Sequence, residues 1–349
     1  MFRLGQFTPQ LKLLFNSDRI SRWVKGENIY PILIEFDLSN ACNHKCNFCN
    51  FKYTHNGKIL DEKVTFNIVG ELARCGIKAI NWTGGGEPLM NPAALEIFRF
   101  TILRRIQQGI FTNGVLIKDD YYAEYMLSSF NWIRFSIDAG TKETYAAIKH
   151  SDDFDKVIEI IKRMVDIRNE SHYKTDIGIG FVITNENYHE IEKFSELIKE
   201  TEVDYGQYKP SIETDLQNNP EWWLKEVKPR LERVFATNDK AVINLYKFND
   251  LTESNIDRPY DICYGHQFCP CIGADGEVWI CSQLRNIEGY SFGNIYRDSF
   301  RDIWNGAQRR KVIKNVNLTK CPKLCKNNEI NKILYRIKHP TNDLHYNFL

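Results

Sequence analysis

The sequence predicts an α/β protein. Short apolar runs alternate with amphipathic helical stretches through the first 210 residues, and the cysteines gather in two clusters. The runs are ILIEF (32–36), KAINWT (78–83), IQQGIF (106–111), WIRFSI (132–137), IGIGFVIT (177–184) and VDYGQYK (203–209). Between them lie DEKVTFNIVGELAR, PAALEIFRFTILRR and FDKVIEIIKRMVDIRN. In the last of these Val157, Ile160, Ile161, Met164 and Val165 recur at helical spacing, with Asp and Lys on the other face. Strand and helix repeated six times predict parallel strands joined by helical crossovers. Periodicity alone leaves an open barrel and a doubly wound sheet both standing, and IQQGIF is polar for a buried strand.

Residues 1–30 read as an N-terminal extension and 31–215 as the repeating core. Residues 216–260 hold a polar loop, a helix near 220–236 and an apolar strand at AVINLY, and read as a connector. Residues 261–330 are rich in cysteine and turns and too poor in aliphatic residues to build a core unaided, so metal is expected to hold them together. Residues 331–349 form a tail. With 46 basic and 45 acidic side chains the formal charge is +1, which gives no footprint for nucleic acid or an anionic membrane. No stretch approaches the roughly 20 apolar residues of a membrane span, and the N-terminus lacks a secretory cleavage site. A cytoplasmic location is the expectation, and clustered cysteines there point to metal or redox chemistry. Cys75, outside both clusters, reads as a core residue.

The first cluster is LSNACNHKCNFCNF, directly after the first strand. Cys42, Cys46 and Cys49 form a C-x3-C-x2-C run, and three thiolates hold three corners of a [4Fe–4S] cube while leaving one iron open. A loop at the carboxyl end of a strand is where α/β folds build active sites. The alternative is zinc on the three cysteines plus His44, which is cramped because His44 lies between two of the ligands. The run resembles the signature of the radical S-adenosylmethionine (SAM) superfamily, in which an aromatic residue, here Phe48, precedes the last cysteine and packs near the adenine of SAM. TGGGEPLMNP (83–92) resembles the family's glycine-rich motif at the end of the second strand. Gly84, Gly85 and Gly86 would let backbone approach the ligand closely, with backbone carbonyls and Glu87 meeting the methionine ammonium. FTNG and SIDAG end the third and fourth strands, so the resemblance makes Asn113, Ser136 and Asp138 candidate ribose or carboxylate contacts. It implies a partial (β/α)6 TIM-type barrel over about residues 30–210, with SAM and a [4Fe–4S] cluster as cofactors and a flavodoxin- or ferredoxin-type electron donor as partner.

In the second cluster Cys263 and Cys281 frame GADGEVWIC, where Asp275-Gly276 marks a hairpin turn. Cys321 and Cys325 follow in CPKLC, after an expected helix at 298–313. This small α+β module resembles the SPASM and twitch auxiliary-cluster domains of the same superfamily. The resemblance implies a second [4Fe–4S] cluster on Cys263, Cys281, Cys321 and Cys325, with four-cysteine zinc as the alternative. Cys269 and Cys271 are extra to the twitch pattern.

The reaction implied by the resemblance is reductive cleavage of SAM to a 5′-deoxyadenosyl radical, which takes a hydrogen atom from a substrate. A fully ligated second cluster adds an electron acceptor, as in the twitch-containing inosamine dehydrogenase. The expected reaction is therefore oxidation of a carbinol in a small molecule, a sugar, polyol or nucleotide sugar. Lys209, ending the sixth strand, is placed to meet an anionic group or take the proton. Epimerisation with Cys269 or Cys271 as hydrogen donor and peptide maturation are the enzymatic alternatives; residues 1–30 are short for peptide recognition. A non-catalytic zinc or iron–sulfur scaffold shares the cysteines but leaves TGGGEP, TNG and SID on successive strand ends unexplained.

Overall fold

A computed structural model describes residues 9–212, 218–243, 251 and 258–341. All six expected strands form: β1 (Leu33–Asp37), β2 (Ala79–Thr83), β3 (Gln107–Thr112), β4 (Trp132–Ser136), β5 (Asp176–Ile183) and β6 (Tyr205–Pro210). Each pairs in parallel with the next. The crossovers are the helices Glu62–Arg74, Ala94–Leu103, Asp120–Ser129, Lys142–Lys149 with Phe154–Glu170, and Ile191–Glu200. Several start where a side chain caps the first turn: Asp61 accepts from Val64 N (3.0 Å) and Asp119 from Tyr122 N (2.9 Å).

Strand alternation divides the sheet into an apolar and a polar face. Ile34, Phe36, Ile80, Trp82, Ile133 and Phe135 are buried in the hydrophobic core, where Trp82 contacts Phe36 and Phe98 at ring-centroid distances of 5.2 and 5.5 Å. On the other face the same strands carry Glu35, Thr83, Arg134 and Ser136, which line a cavity. The polar third strand is explained by Gln108. It is buried on the apolar side, where it accepts from Trp82 Nε1 (2.8 Å) and donates to the carbonyls of Phe98 (2.9 Å) and Ser129 (3.0 Å). A buried amide with every partner in place costs the strand little. Gly109 is needed because a Cβ there would stand 2.0 Å from the Trp132 ring.

The sheet is larger than six strands. The segment read as a connector carries a helix interrupted by a π turn at Trp223–Val227 and then β7 (Ala241–Ile243), a seventh parallel strand beside β6; Asn244, Leu245 and Tyr246 of AVINLY lie outside the described residues. The cysteine-rich segment forms β8 (Cys271–Ile272), β9 (Glu277–Trp279) and β10 (Ser291–Asn294). Its expected hairpin turns at Gly276, whose φ of +81° suits glycine. Gly306 divides the expected 298–313 helix into Phe300–Asn305 and Ala307–Lys314.

Unforeseen from sequence, β8 also pairs in parallel with β1, through Glu35–Cys271 and Phe36–Ile272. The module is thereby part of one ten-stranded sheet of order β10-β9-β8-β1-β2-β3-β4-β5-β6-β7. The order is linear among the described residues, an open barrel rather than a closed one.

Outside the sheet, the helices Pro9–Leu14 and Ser17–Val24 place Leu13 and Trp23 in a second core with Ile29, Phe268 and Leu334. Leu334 belongs to the helix Asn328–Lys338, so the N-terminal extension and the tail clasp each other. Cys75 caps its helix and is half-buried rather than fully in the core. No helix among the described residues is long and apolar enough to cross a membrane.

Candidate active site

The cysteine loop leaves β1 and docks on the end of the helix Lys142–Lys149. Lys45 N donates to Lys149 O (3.2 Å) and Asn47 N to Ile148 O (3.0 Å), so the loop satisfies carbonyls that a helix terminus leaves open. Asn47 also donates to Ala147 O (3.3 Å) and Glu186 Oε2 (2.9 Å). Cys42, Cys46 and Cys49 are half-buried on this loop and line one cavity of about 390 Å³, in the range of ligand pockets. Burial pushes the Cys42 thiol up to about 11 and raises Cys46, and the neighbouring thiols' charges add to both. Thiols raised in this way ionise readily only beside a cation, which the iron of a cluster would supply. His44 does not complete a zinc site. Its ring is buried beside Tyr145, and its Nε2 faces Asp153 at 3.6 Å. Among the described residues no three His, Cys, Asp or Glu side chains stand close enough to hold a single ion. Thiolates around an iron–sulfur cube stand farther apart than that.

The glycine-rich loop lies against the cysteine loop. Gly86 N donates to Ser39 O (2.9 Å) and Glu87 N to Ala41 O (2.8 Å). A Cβ on Gly85 would stand 2.1 Å from Asn40 Oδ1, and one on Gly86 2.1 Å from Ala41 O. The close approach that these glycines permit is therefore to the cysteine loop itself, while their outer side lines the cavity. Glu87 is buried and braces the end of β3: it accepts from Thr112 Oγ1 (2.7 Å), Asn113 N (2.8 Å) and Leu89 N (3.2 Å). Even so, burial dominates and pushes its carboxyl up to about 7. Asn113 in turn donates to Asn43 Oδ1 (2.7 Å), tying the TNG turn to the cysteines.

Asp138, expected as a ribose or carboxylate contact, is committed elsewhere. It sits at φ +59°, its carboxylate is ion-paired with the buried Lys149, and it accepts from Val182 N (2.7 Å). Lys149 Nζ also lies 5.3 Å from the centre of the Phe48 ring. Phe48, Ser136, Asp138, Lys149 and Lys209 all line the cavity, as do Gly84, Gly85, Gly86, Glu87 and Asn113. Lys149 was not found from sequence because nothing local marks it.

The C-terminal module contributes Ser282, Gln283, Arg285 and Lys326 to the cavity wall, next to β1. Arg285 is ion-paired with Asp37 of β1 and lies 4.0 Å over Phe51; Lys326 is ion-paired with Glu35 of β1. Burial raises the thiols of Cys281 and Cys321, the latter to about 12, and Cys325 and Cys263 are close enough that their charges add to both. Four thiols gathered in one small module have the donor chemistry of a second cluster. Cys263 also receives Asn331 Nδ2 at 3.3 Å. Cys269 is not brought to the cavity. Its buried thiol lies 3.5 Å from Lys326 Nζ, and Lys326 is the residue on the wall, so the expected hydrogen-donor role lacks access to substrate. Cys271 is fully buried in β8 and does not reach the wall either.

Comparison with known proteins agrees with this geometry. Residues 37–198 match the radical SAM superfamily, and residues 263–327 match the SPASM iron–sulfur cluster-binding domain. A probable GTP 3′,8-cyclase of Saccharolobus islandicus is 31% identical over 166 residues, 47% of this chain and 52% of its own; the chain thus spans about half the length of such curated relatives. The tungsten-containing aldehyde ferredoxin oxidoreductase cofactor-modifying protein of Pyrococcus furiosus is 24% identical over 82% of this chain and 85% of its own. Among solved structures, Streptococcus suis SuiB bound to its precursor peptide SuiA superposes with a TM-score of 0.66 at 16% identity, covering 88% of this chain and 72% of SuiB. The AdoMet-bound anSMEcpe structure gives 0.60 at 20% identity, covering 85% of each chain. Cysteine loop, glycine-rich loop, open barrel and C-terminal cysteine module together place the chain in the radical SAM superfamily, as a member with a SPASM domain, a fold that carries a SAM-binding [4Fe–4S] site and auxiliary iron–sulfur ligation.

Proposed function

We propose that this chain is a radical SAM oxidoreductase that converts a carbinol carbon of a small polar molecule, a sugar, polyol or nucleotide sugar, to a carbonyl. The observation that carries the reading is one cavity lined both by Cys42, Cys46 and Cys49 and by Ser282, Gln283, Arg285 and Lys326 of the module that bears the second cysteine set. Cys42, Cys46 and Cys49 would hold the SAM cluster, and Cys263, Cys281, Cys321 and Cys325 the auxiliary one. When bound, these groups supply the redox chemistry, a 5′-deoxyadenosyl radical that removes one hydrogen atom and a sink for the second electron.

The chain's own residues do the rest. Phe48 offers an apolar face to the adenine, and Glu87 and Asn113 hold the β3 end against the cysteine loop. The ion pairs of Arg285 and Lys326 keep the module seated, so that water is excluded from the reacting carbon. Lys209 Nζ, on the wall, is placed to meet an anionic group of the substrate, and the proton released as the carbonyl forms passes to solvent. Relatives such as the one 31% identical over 166 residues are named for GTP, a nucleotide that contains a phosphorylated ribose, which is consistent with a substrate of this class.

The test is anaerobic incubation of the reconstituted protein with SAM, a reductant and a panel of polyols, sugar phosphates and nucleotide sugars. A product two mass units lighter than its substrate, formed together with 5′-deoxyadenosine, is expected. Solvent deuterium entering a substrate of otherwise unchanged mass would instead mark epimerisation, and turnover without either cluster would sink the proposal.

A further inference from the structure

Among the described residues the carboxylates on the cavity wall are taken, and none forms an ion pair with Arg134. Asp138 holds Lys149, and Glu35 holds Lys326. Glu87 is occupied by three donors from Thr112, Asn113 and Leu89. Arg134 on β4 is only 7% exposed and lines the cavity. Its Nη1 donates to Gln207 Oε1 of β6, and its guanidinium lies 4.1 Å over Phe111 and 5.8 Å from the Trp132 ring. The carboxylate whose charge it feels is Asp138, already taken by Lys149. Lys209 Nζ approaches the same Phe111 ring at 5.0 Å. Two cations therefore converge on one aromatic ring, and a buried guanidinium held by a neutral amide is costly unless an anion completes it. Burial pulls the Arg134 pKa down to about 10.

Depth separates this place from the SAM end of the cavity. Ser136 ends β4, and every other residue that the family resemblance assigns to SAM lies on the cysteine loop or at or just beyond a strand end. Arg134 is the next residue inward on the same face, about 7 Å farther from the rim at the rise of a β-strand. A planar guanidinium fixed by an amide and stacked on an aromatic ring is preorganised for two parallel hydrogen bonds to a phosphate or carboxylate.

We infer that Arg134, positioned by Gln207 and flanked by Lys209, is an anion subsite that binds a phosphate or carboxylate group of the substrate. This rests on the small-molecule reading above and narrows its substrate class to anionic sugars or polyols. Arg134 sets specificity and orientation; it does not take part in the bond changes.

The test is calorimetric titration of the SAM-saturated, anaerobically reconstituted protein with glucose 6-phosphate, gluconate and uncharged glucose, without reductant. Wild type, Arg134→Gln, Arg134→Lys and Lys209→Gln are compared, with iron content as a check on folding. Wild type is expected to bind a charged probe and not glucose, with glucose 6-phosphate alone assigning a phosphate and gluconate alone a carboxylate. Arg134→Gln should weaken that binding at least tenfold, Arg134→Lys should restore part of it, and SAM affinity should stay within twofold throughout. Binding unchanged in Arg134→Gln, no charged probe bound by wild type, or SAM affinity lost while probe affinity persists would each overturn the inference. Since the readout is binding, its failure leaves the oxidation reading standing; a bound anionic substrate that is never oxidised would defeat that reading alone.

Discussion

Replacing Lys149 with Met isolates the interaction that the structure makes most consequential outside the cysteines. The Lys149 and Asp138 side chains are 2% and 3% exposed, so the pair has almost no access to water. Met keeps most of the stem that packs near Phe48 but leaves Asp138 as a buried carboxylate with Val182 N as its remaining donor. Removing one member of such a pair costs about 3–5 kcal/mol. Neutralising both members in Asp138→Asn/Lys149→Met should cost only about 1 kcal/mol, since no uncompensated charge remains and Asn can still accept from Val182. The double variant should therefore be about 2–4 kcal/mol more stable than Lys149→Met alone. The assay is urea unfolding of the anaerobically purified protein, with stability taken from the midpoint shift at constant slope. A cost below about 1 kcal/mol for Lys149→Met, or a double variant no better than the single, would refute the assignment of Asp138 as a structural anchor.

Two further outcomes follow from the same wall of the cavity. Glu87 titrates near 7 in the folded chain, above its ordinary 4.5, so the folded state binds its proton more tightly than the unfolded state does. Its contribution is fully present below about pH 4.5 and is lost as pH rises through 7; the stability of wild type relative to Glu87→Gln should fall by up to about 1.4 kcal/mol per pH unit in that window, measured by unfolding without SAM between pH 5 and 8. Gly86→Ala drives a Cβ to 2.1 Å from the Ala41 carbonyl, and backbone on both sides cannot yield cheaply. A loss of about 1–3 kcal/mol is expected, together with reduced iron retention by the adjoining cysteine loop, both read on one purified sample.

The strand–helix alternation was legible because parallel strands covered by helices keep an apolar face, and the six runs carried it. The cysteine and glycine loops were legible because their chemistry demands particular residues at short spacing. The polar inner face was not read, although a signal for it exists: Trp132, Arg134 and Ser136 alternate with Ile133 and Phe135, and a period-two reading would mark Arg134 as facing inward. Lys149, Arg285 and Lys326 were not legible. Their partners Asp138, Asp37 and Glu35 are distant in sequence, and ion pairing across a fold leaves no local pattern. The pairing of β8 with β1 escaped for the same reason, since strands as short as Cys271–Ile272 have no periodicity to read. Cys269 looked available because sequence records a thiol's position but not the lysine in front of it.

The account rests on two iron–sulfur sites, one on the cavity wall and one in the module that contributes to that wall. It is tested most directly by the iron and sulfide content of anaerobically purified protein, wild type beside a Cys42→Ala/Cys46→Ala/Cys49→Ala variant, with SAM cleavage followed in parallel. About eight irons per wild-type chain, falling to about four in the variant, with 5′-deoxyadenosine formed by wild type alone, is the predicted result. Zinc in place of iron, or a variant that keeps its full iron and still cleaves SAM, would contradict it.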